Sequence, residues 1–410
     1  MAERNRTVLI SGASIAGPTL AYWLSKYGFD VTVVERAETI RGGGYPIDVR
    51  GTAVDVVERM GILRQLQAAH IHSQKITFYD PDGGIAGVIR PEELTGGEEG
   101  RDIELPRGRL TESLFDLTKR QSVRYWFKDS IATLNDDGSG VDVSFKSGRR
   151  SRFDIVIGAD GLHSNTRRLV FGQEGPFNRY LGYCFNGFSI PNDLGLSHES
   201  VTYATPGRIA VLSASGDSDT LHAFLTFASE RPPFSENHDA DKQRKLTAEI
   251  FAGGGWEIPR LVKAMMESDD LYYDVVSQIH MPRWSAGRVA LVGDSAFAPS
   301  FLSGQGSSLA LVGAYILAGE LASHEEHGEA FTAYEQIMRP FAEANQALAG
   351  RGATFLLPRT SEELEARNQA LASLQSSDQE NMPGDESRDV HSSLRLPDYA
   401  AALEAAAKRI

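Results

Sequence analysis

The stretch of the chain that most restricts its fold runs from Thr7 to Arg36 and has the order strand, turn, helix, strand, acid. Residues 8–10 are a short apolar run that predicts a β-strand, residues 18–27 predict an apolar helix, and residues 31–34 predict a second strand. This order is typical of the βαβ unit that binds dinucleotides, so it predicts an α/β fold with a Rossmann-like domain.

The turn between the first strand and the helix has the pattern G-x-S-x-x-G, with Ser14 where a second glycine is usual. Glycines let the backbone approach a pyrophosphate, and a helix N-terminus supplies free N–H groups. We therefore expect the turn to bind phosphate through Gly12, Ser14, Ile15, Ala16 and Gly17. Glu35, at the end of the second strand, is expected to accept ribose hydroxyls and favours FAD or NAD over a 2′-phosphate. The alternative is a glycine-rich turn without a ligand.

Composition excludes several classes of protein. The chain has 410 residues, 41% of them hydrophobic, and a net charge of −14, which argues against coating nucleic acid or an anionic membrane. Its single cysteine, Cys184, excludes an intramolecular disulfide and a multi-cysteine metal site, and the ten histidines show no metal-ligand spacing. No signal-like segment and no apolar run of about 20 residues is present, so we expect a soluble, cytoplasmic protein without a membrane span.

Two further loops are candidates for ligand contact. Residues 41–51 form a glycine-rich loop, carrying Asp48 and Arg50, that lets backbone approach a flat ligand, although a flexible connector is the alternative. Asp160 follows a buried strand, so its carboxylate either reaches the crevice at the strand ends or caps the next helix.

A second glycine cluster follows a strand that ends in Gly293-Asp294. It opens a long apolar helix over residues 308–321, whose free N–H groups provide a site for an electron-rich ligand edge. The candidate residues of this segment are Asp294, Pro299, Gly304, Gln305, Gly306 and Ser307.

Strand-like segments repeat between residues 177 and 282, which predicts a mostly antiparallel sheet inserted into the first domain. The predicted division is a cofactor-binding domain at residues 1–75, 101–176 and 283–345, a substrate domain at 76–100 and 177–282, and a C-terminal helical region at 346–410.

Four motifs occur in one order: the glycine turn with Glu35-Arg36, Arg107-x-x-Leu110, the 158–167 stretch with Asp160-Gly161, and Gly293-Asp294 with its glycine cluster. Over residues 7–350 the chain resembles the single-component, group A FAD-dependent aromatic hydroxylases. That family includes p-hydroxybenzoate hydroxylase and, closest to this chain, the tetracycline-inactivating monooxygenases.

The resemblance implies one extended FAD, with the glycine turn near the pyrophosphate, Glu35 on the adenosine ribose, and Arg36 and Arg107 near the adenosine and pyrophosphate. It further implies that Asp294 contacts the ribitol, that the Gly304–Gly306 backbone faces the flavin, and that the Asp160 motif serves both FAD and NAD(P)H. The implied reaction is reduction by NAD(P)H, capture of O₂ as a flavin C4a-hydroperoxide, and transfer of one oxygen atom to an aromatic or polycyclic natural product or antibiotic. It names no proton-transfer residue.

Asn186 and Phe224, on two predicted strands of the inserted sheet, are the candidate substrate contacts, with ordinary core packing as the alternative. Ser200 falls near an arginine of the tetracycline-inactivating enzymes, which weakens a tetracycline assignment. Two other functions stay open. One is a flavin halogenase or two-component epoxidase, which direct NADPH oxidation would set aside, and the other is a redox-inactive, FAD-bound binding protein.

Overall fold

The computed structural model describes residues 6–40, 42–233, 239–374 and 384–407, so the outer ends of the predicted first and last segments, and residue 41 of the glycine-rich loop, lie outside the described residues. The strands, in chain order, are β1 (Thr7–Ser11), β2 (Asp30–Glu35), β3 (Pro46–Val49), β4 (Lys75–Tyr79), β5 (Ile85–Ile89), β6 (Ile103–Pro106), β7 (Arg124–Phe127), β8 (Ile131–Asp136), β9 (Val141–Phe145), β10 (Arg150–Phe153), β11 (Ile155–Gly158), β12 (Asn178–Pro191), β13 (Glu199–Thr205), β14 (Arg208–Ala214), β15 (Thr220–Ala228), β16 (Tyr272–Ile279), β17 (Ser285–Ala286) and β18 (Val289–Leu291).

The α-helices, in chain order, are α1 (Ala16–Lys26), α2 (Thr52–Arg59), α3 (Leu63–Gln67), α4 (Pro91–Thr95), α5 (Arg107–Lys119), α6 (Asn165–Phe171), α7 (Ala240–Ile250), α8 (Ile258–Glu267), α9 (Asp294–Phe297), α10 (Gly306–Ser323), α11 (His327–Leu356), α12 (Ser361–Leu374), α13 (Asp385–His391) and α14 (Ala400–Ala407). A short 3₁₀ helix, Phe301–Ser303, precedes α10.

The first domain is built on a six-stranded sheet in the order β17-β18-β11-β1-β2-β7, in which β1 pairs in parallel with both β2 and β11. Val8 and Ile10 pack with residues of α1 and α10, whereas Leu9 packs on the other side with residues of the three-stranded β8–β9–β10 sheet. Because β1 is covered on both sides, every one of its central residues is apolar, as parallel strands require. The predicted βαβ unit and α/β fold are confirmed.

Helix α10 is apolar on all sides because it is a core helix, in contact with α1, α2 and α11. Among the described residues it is the one helix whose length and composition would allow a membrane crossing, and 78% of that window is buried inside the protein. Its composition is therefore explained by packing.

The second large sheet has seven strands in the order β16-β12-β15-β14-β13-β4-β5. Its neighbouring strands pair antiparallel except β13 and β4, which are parallel. The predicted, mostly antiparallel inserted sheet is thus confirmed, with the early β4–β5 hairpin added at its edge. The predicted domain boundaries stay a prediction.

The two faces of this sheet differ. One, which we call the covered face, packs under α7 and α8 through a cluster that includes Cys184, Leu225 and Phe227. The other, which we call the cleft face, carries Phe185 and Phe224 and packs in part against Leu302 and the α11–α12 region. Side chains alternate between the two faces along each strand.

The C-terminal part is helical, as predicted, and it returns to both domains. Leu371 of α12 lies against Gly87 of β5, where an added Cβ would approach the Leu371 Cβ to 2.7 Å. Tyr399, just before α14, donates from Oη to Glu320 Oε1 of α10 at 2.6 Å.

Candidate functional site

The glycine turn after β1 depends on close backbone packing at two positions. Gly12 has a φ of +110°, and a Cβ there would lie 2.3 Å from the Ala159 carbonyl oxygen. A Cβ on Gly17 would lie 1.9 Å from the Gly12 carbonyl oxygen, so α1 approaches the turn only because residue 17 is glycine. In the described structure Ile15, the N-cap of α1, makes no side-chain capping bond, and Ala16 opens the helix. This leaves the first turn of α1 suited to an anion.

Ser14, which replaces the second glycine, is paired with a cation. Arg107, the first residue of α5, donates from Nη2 to Ser14 Oγ at 2.8 Å. Arg107 also packs beside the glycine-rich loop, where a Cβ on Gly44 would lie 3.4 Å from its Cδ. The structure therefore places a guanidinium directly over the turn that the sequence predicts to hold a pyrophosphate.

Glu35 ends β2 and reaches back to the same turn. Its two oxygens accept hydrogen bonds from the backbone N–H groups of Ala13 and Ala37, each at 2.9 Å. A carboxylate has further lone pairs, so these bonds orient Glu35 and leave it able to accept from a ribose. Arg36 is exposed beside it.

Asp48 and Arg50 form an ion pair of 2.7 Å, and the Arg50 side chain is buried. Arg50 also donates from Nη1 to the Thr95 carbonyl oxygen at 3.2 Å, and its backbone N–H donates to Ser308 Oγ at 3.2 Å. Asp48 is nearer the glycine cluster, since a Cβ on Gly304 would lie 3.9 Å from its Oδ2. Arg50 is thus a buried link between the loop and α10, and Asp48 is the member of the pair that borders the site.

The Asp160 carboxylate accepts hydrogen bonds from residues at the start of α6. Its Oδ2 accepts from the Thr166 backbone N–H at 2.9 Å and from Thr166 Oγ1 at 2.8 Å, and Ser164 Oγ donates to its Oδ1. The N-cap of α6 is Ser164, so Asp160 supports the first turn of this helix without being its cap, and the bonds hold the Asp160–Gly161 turn in place. Contact of Asp160 with a cofactor stays a prediction.

The second glycine cluster surrounds a carboxyl group and an unpaired amide. Asp294 opens α9, and its Oδ1 lies 3.8 Å from the place of a Cβ on Gly306. Burial raises the pKa of Asp294 to about 6, against the opposing charges of Arg107 and Arg167. Gln305 is 1% exposed, and neither polar atom of its amide has a hydrogen-bond partner among the described residues. Unpaired buried amides are rare, so the Gln305 amide is suited to bind a polar ligand.

The remaining predicted residues of this cluster lie close by. Ser307, in the first turn of α10, is buried, and Pro299 accepts from Gln278 Nε2 through its carbonyl oxygen at 3.0 Å. Arg167 joins the cluster to the Asp160 turn because its Nη1 donates to the Ser295 carbonyl oxygen at 3.0 Å. Sequence analysis assigned Arg167 only to a motif and missed this connection.

The two predicted substrate contacts lie on opposite faces of the seven-stranded sheet. Asn186 pairs with Leu225 across the strands and is fully buried on the covered face, where its Nδ2 donates to Thr247 Oγ1 of α7 at 3.0 Å. Phe224 pairs with Gly187 and lies on the cleft face, 5.8 Å from the Tyr45 ring between centroids. The expectation that both side chains face one pocket is wrong, because Asn186 and Gly187 are consecutive and must point to opposite faces.

Four aromatic residues that the sequence analysis did not assign lie on the cleft face with Phe224 or contact a side chain of that face. Tyr45 lies on the glycine-rich loop, Phe185 and Tyr272 are on β12 and β16, and Phe301 begins the 3₁₀ helix. Phe185 contacts Phe301 at 4.8 Å and Tyr272 at 5.6 Å between ring centroids, and Tyr272 and Phe301 are 48% and 42% exposed. We call the space between these five side chains the aromatic cleft. Strand alternation could have grouped Phe185, Phe224 and Tyr272 on one face, but only with the pairing register of the strands, which the sequence does not state.

A separate cavity of about 880 Å³ lies between α1, α10 and the segment before α14. Its walls include Trp23, Tyr27, Tyr315 and Tyr399, and none of the predicted site residues lines it. In the parts of the chain that the structure describes, no three His, Cys, Asp or Glu side chains are placed to hold a metal ion.

Comparison with known proteins gives consistent matches. The family described as "FAD binding domain" matches residues 5–349. A flavin-dependent monooxygenase from an unknown prokaryotic organism is 39% identical over 366 residues, covering 88% of this chain and 94% of the relative. The crystal structures of the tetracycline destructases Tet(55) and Tet(51) are 35% and 33% identical, with TM-scores of 0.82 and 0.81, and each covers 97% of this chain and 100% of its own.

Proposed function

This chain belongs to the FAD-binding-domain family of flavin-dependent monooxygenases, and from that premise we propose that it hydroxylates a flat aromatic or polycyclic molecule in the aromatic cleft, at the expense of NAD(P)H and O₂. The membership confirms the predicted enzyme class and FAD as the cofactor. The two destructases also confirm the resemblance to the tetracycline-inactivating branch.

The residues of the two glycine clusters fit FAD. The uncapped first turn of α1 and the Arg107 guanidinium suit the pyrophosphate, and Glu35 with Arg36 suits the adenosine end. The half-buried carboxyl of Asp294 suits the ribitol hydroxyls, and the unpaired amide of Gln305 suits a ring edge that carries both donors and acceptors. When bound, FAD supplies the redox chemistry, accepting a hydride and delivering one oxygen atom from O₂ to the substrate.

The protein's own groups would bind and orient. Helix α10 begins at Gly306, so its dipole would stabilise negative charge on a flavin ring held beside that end. With a flat substrate in the cleft, the aromatic walls would shield the reacting atoms from water and so limit wasteful release of hydrogen peroxide.

The observation that carries the substrate class is the aromatic cleft. Its five aromatic side chains include the Tyr45–Phe224 contact and the contacts of Phe185 with Phe301 and Tyr272, and two of the five are more than 40% exposed. Exposed aromatic side chains that are grouped together favour a ligand with flat, apolar faces. Tyr45 follows Gly44, where a Cβ would lie 3.4 Å from Arg107 Cδ, so the cleft adjoins the predicted cofactor residues.

NAD(P)H is proposed to bind in the same interdomain region. The sequence contains one βαβ unit with a dinucleotide turn, and FAD uses it. The nicotinamide donor therefore needs no second Rossmann domain. A cytoplasmic location is retained as part of the proposal.

The test is a panel of flat phenols, polycyclic aromatics and a tetracycline, screened for stimulation of NADPH oxidation by the FAD-loaded protein. At least one compound should stimulate oxidation and give a product heavier by one oxygen atom. Phe224→Ala should lower kcat/KM for that compound by roughly 3- to 10-fold, because an aromatic contact contributes about 0.5–1.5 kcal/mol beyond area burial. FAD content should not change. A panel without any oxygenated product, or an unaffected Phe224→Ala enzyme, would contradict the proposal.

A further inference from the structure

A chain of hydrogen bonds connects the first domain to the aromatic cleft. Tyr272 Oη donates to Asp274 Oδ2 at 2.7 Å, and both residues lie on β16. His163, in the turn before α6, places Nε2 3.2 Å from Asp274 Oδ1 and Nδ1 3.0 Å from Glu174 Oε1. Asp274 is 6% exposed, so this bonded carboxylate is held away from solvent.

His163 fixes the role of Asp274. Because each ring nitrogen of His163 faces a carboxylate, Asp274 first and Glu174 second, the pKa of His163 rises to about 10. A doubly protonated imidazole donates from both nitrogens. Asp274 therefore accepts from His163, whose Nε2 lies 3.2 and 3.3 Å from its two oxygens. Its Oδ1 also accepts from the Val275 backbone N–H at 2.8 Å, and its Oδ2 accepts from the Tyr272 hydroxyl.

The direction of the last bond determines what Tyr272 offers to the cleft. Its only hydroxyl proton points to Asp274, so the phenol oxygen presents lone pairs alone to any other group. Tyr272 pairs across the strands with Gly187 and is 48% exposed beside Phe185, which places it on the open part of the cleft face. The Phe185 ring lies between Tyr272 and Phe301, and Phe301 begins the 3₁₀ helix that leads into the second glycine cluster, so Tyr272 lies near the predicted cofactor residues.

We propose that Tyr272 is a specificity-determining residue that accepts a hydrogen bond from an O–H or N–H group of the substrate, with its orientation set by Asp274 and His163. The substrate class is accordingly a hydroxylated or amino-substituted arene. This inference rests on the proposed function, because it assumes that the substrate occupies the aromatic cleft.

The test uses the FAD-loaded protein and two flat probes that differ in one hydrogen-bond donor, 2-naphthol and 2-methoxynaphthalene. Binding is followed by the change in flavin absorbance, which needs no turnover. Wild type should bind 2-naphthol about 3- to 10-fold more tightly, the effect of one neutral hydrogen bond. Tyr272→Phe should abolish this preference. Tyr273→Phe is the matched control, since it removes a hydroxyl from the neighbouring residue, whose side chain packs on the covered face.

Asp274→Asn tests the orientation of the bond. Its carboxamide would accept from His163 and donate to Tyr272 Oη, which frees the Tyr272 proton to point into the cleft. We expect the preference for 2-naphthol to be lost, because the oxygen of either probe can accept a hydrogen bond from the freed Tyr272 proton. A structural role of Asp274 alone would weaken both probes equally.

The outcomes separate the inference from the proposed function. Equal binding of both probes by wild type, or an unchanged preference in Tyr272→Phe or Asp274→Asn, overturns the inference and leaves the aromatic cleft in place. Failure of both probes to bind wild type overturns the cleft and the inference together.

Discussion

The two faces of the seven-stranded sheet use the same strands and the same kinds of residues, yet they differ in what covers them. On the covered face, Phe227 is 1% exposed under α7 and α8, whereas on the cleft face Tyr272 is 48% exposed. Aromatic composition alone therefore does not separate packing from recognition. What separates them is whether another element covers the side chain.

The covering has a simple cause. Helix α8 presents an apolar stripe that includes Leu261 and Met265, both fully buried, so the covered face is closed along its length. The cleft face is covered only in part, by Leu302 of the 3₁₀ helix and by Leu357 and Leu364 of the C-terminal region. Tyr272 and Phe301, which border the glycine-rich loop and the predicted cofactor residues, stay exposed.

The largest effect is expected on stability, from the covered face. Phe227→Ala should lower the free energy of unfolding by about 3–5 kcal/mol, the usual cost of deleting a buried phenylalanine. Phe224→Ala, on the cleft face, should cost much less because its ring is only half-buried. Urea unfolding of both variants checks this, and equal losses would remove the distinction between the faces.

The next largest effect is expected on FAD affinity, from the side of the cleft opposite the sheet. Arg107→Ala should weaken FAD binding by about 10- to 100-fold, since a hydrogen bond to a charged group is worth about 1.5–3 kcal/mol. The measurement is an FAD titration of the apoprotein. Arg109→Ala is the control, because that side chain is 65% exposed on the same helix. Equal weakening by both substitutions would remove Arg107 from the site.

A smaller effect, on how the free energy of unfolding changes with pH, is expected from the carboxyl group of Asp294. The folded pKa of Asp294, about 6, is above the ordinary value of 3.8, so the folded state holds this proton more strongly than the unfolded state. Its contribution to stability therefore falls as pH rises. Between pH 5 and pH 8 the loss should be about 1.4 kcal/mol, for the one unit by which the pKa exceeds pH 5.

Asp294→Asn removes that titration. Without FAD, the variant should gain stability relative to wild type from pH 5 to pH 8, as measured by urea unfolding at both values. Its FAD affinity should nevertheless be lower, because the carboxylate acceptor is lost. If the difference in the free energy of unfolding between Asp294→Asn and wild type is the same at pH 5 and pH 8, Asp294 does not titrate in this range.

The smallest effect is expected at Asn186. Replacement by leucine loses the bond to Thr247 but also removes a buried amide oxygen that has no partner among the described residues. The free energy of unfolding should change by less than about 1 kcal/mol, and kcat/KM should not change. A large fall in kcat/KM at normal stability would return Asn186 to the substrate site.

Much of the fold follows from local patterns. The run of apolar residues in β1 and the uniformly apolar α10 are consequences of burial on all sides, and the sequence predicted them as a strand and a long apolar helix. Gly12 and Gly17 could also be recognised from the local pattern, because a side chain at either position would overlap a carbonyl oxygen. The residues that face a ligand were harder to predict, as Asn186 and Phe224 show. The sheet face on which each side chain lies depends on the register of β12 with β15 and β16.

The sequence by itself determined the βαβ unit, the two glycine clusters and the alternation of the inserted strands, because these depend on residues close together in the chain. Only the tertiary structure decided which strand face lies open, that Arg107 stands over Ser14, and that His163 reaches Asp274 from 111 residues away. These contacts join segments that have no local relation, and the free energy of such contacts depends on how the two sheets pack together.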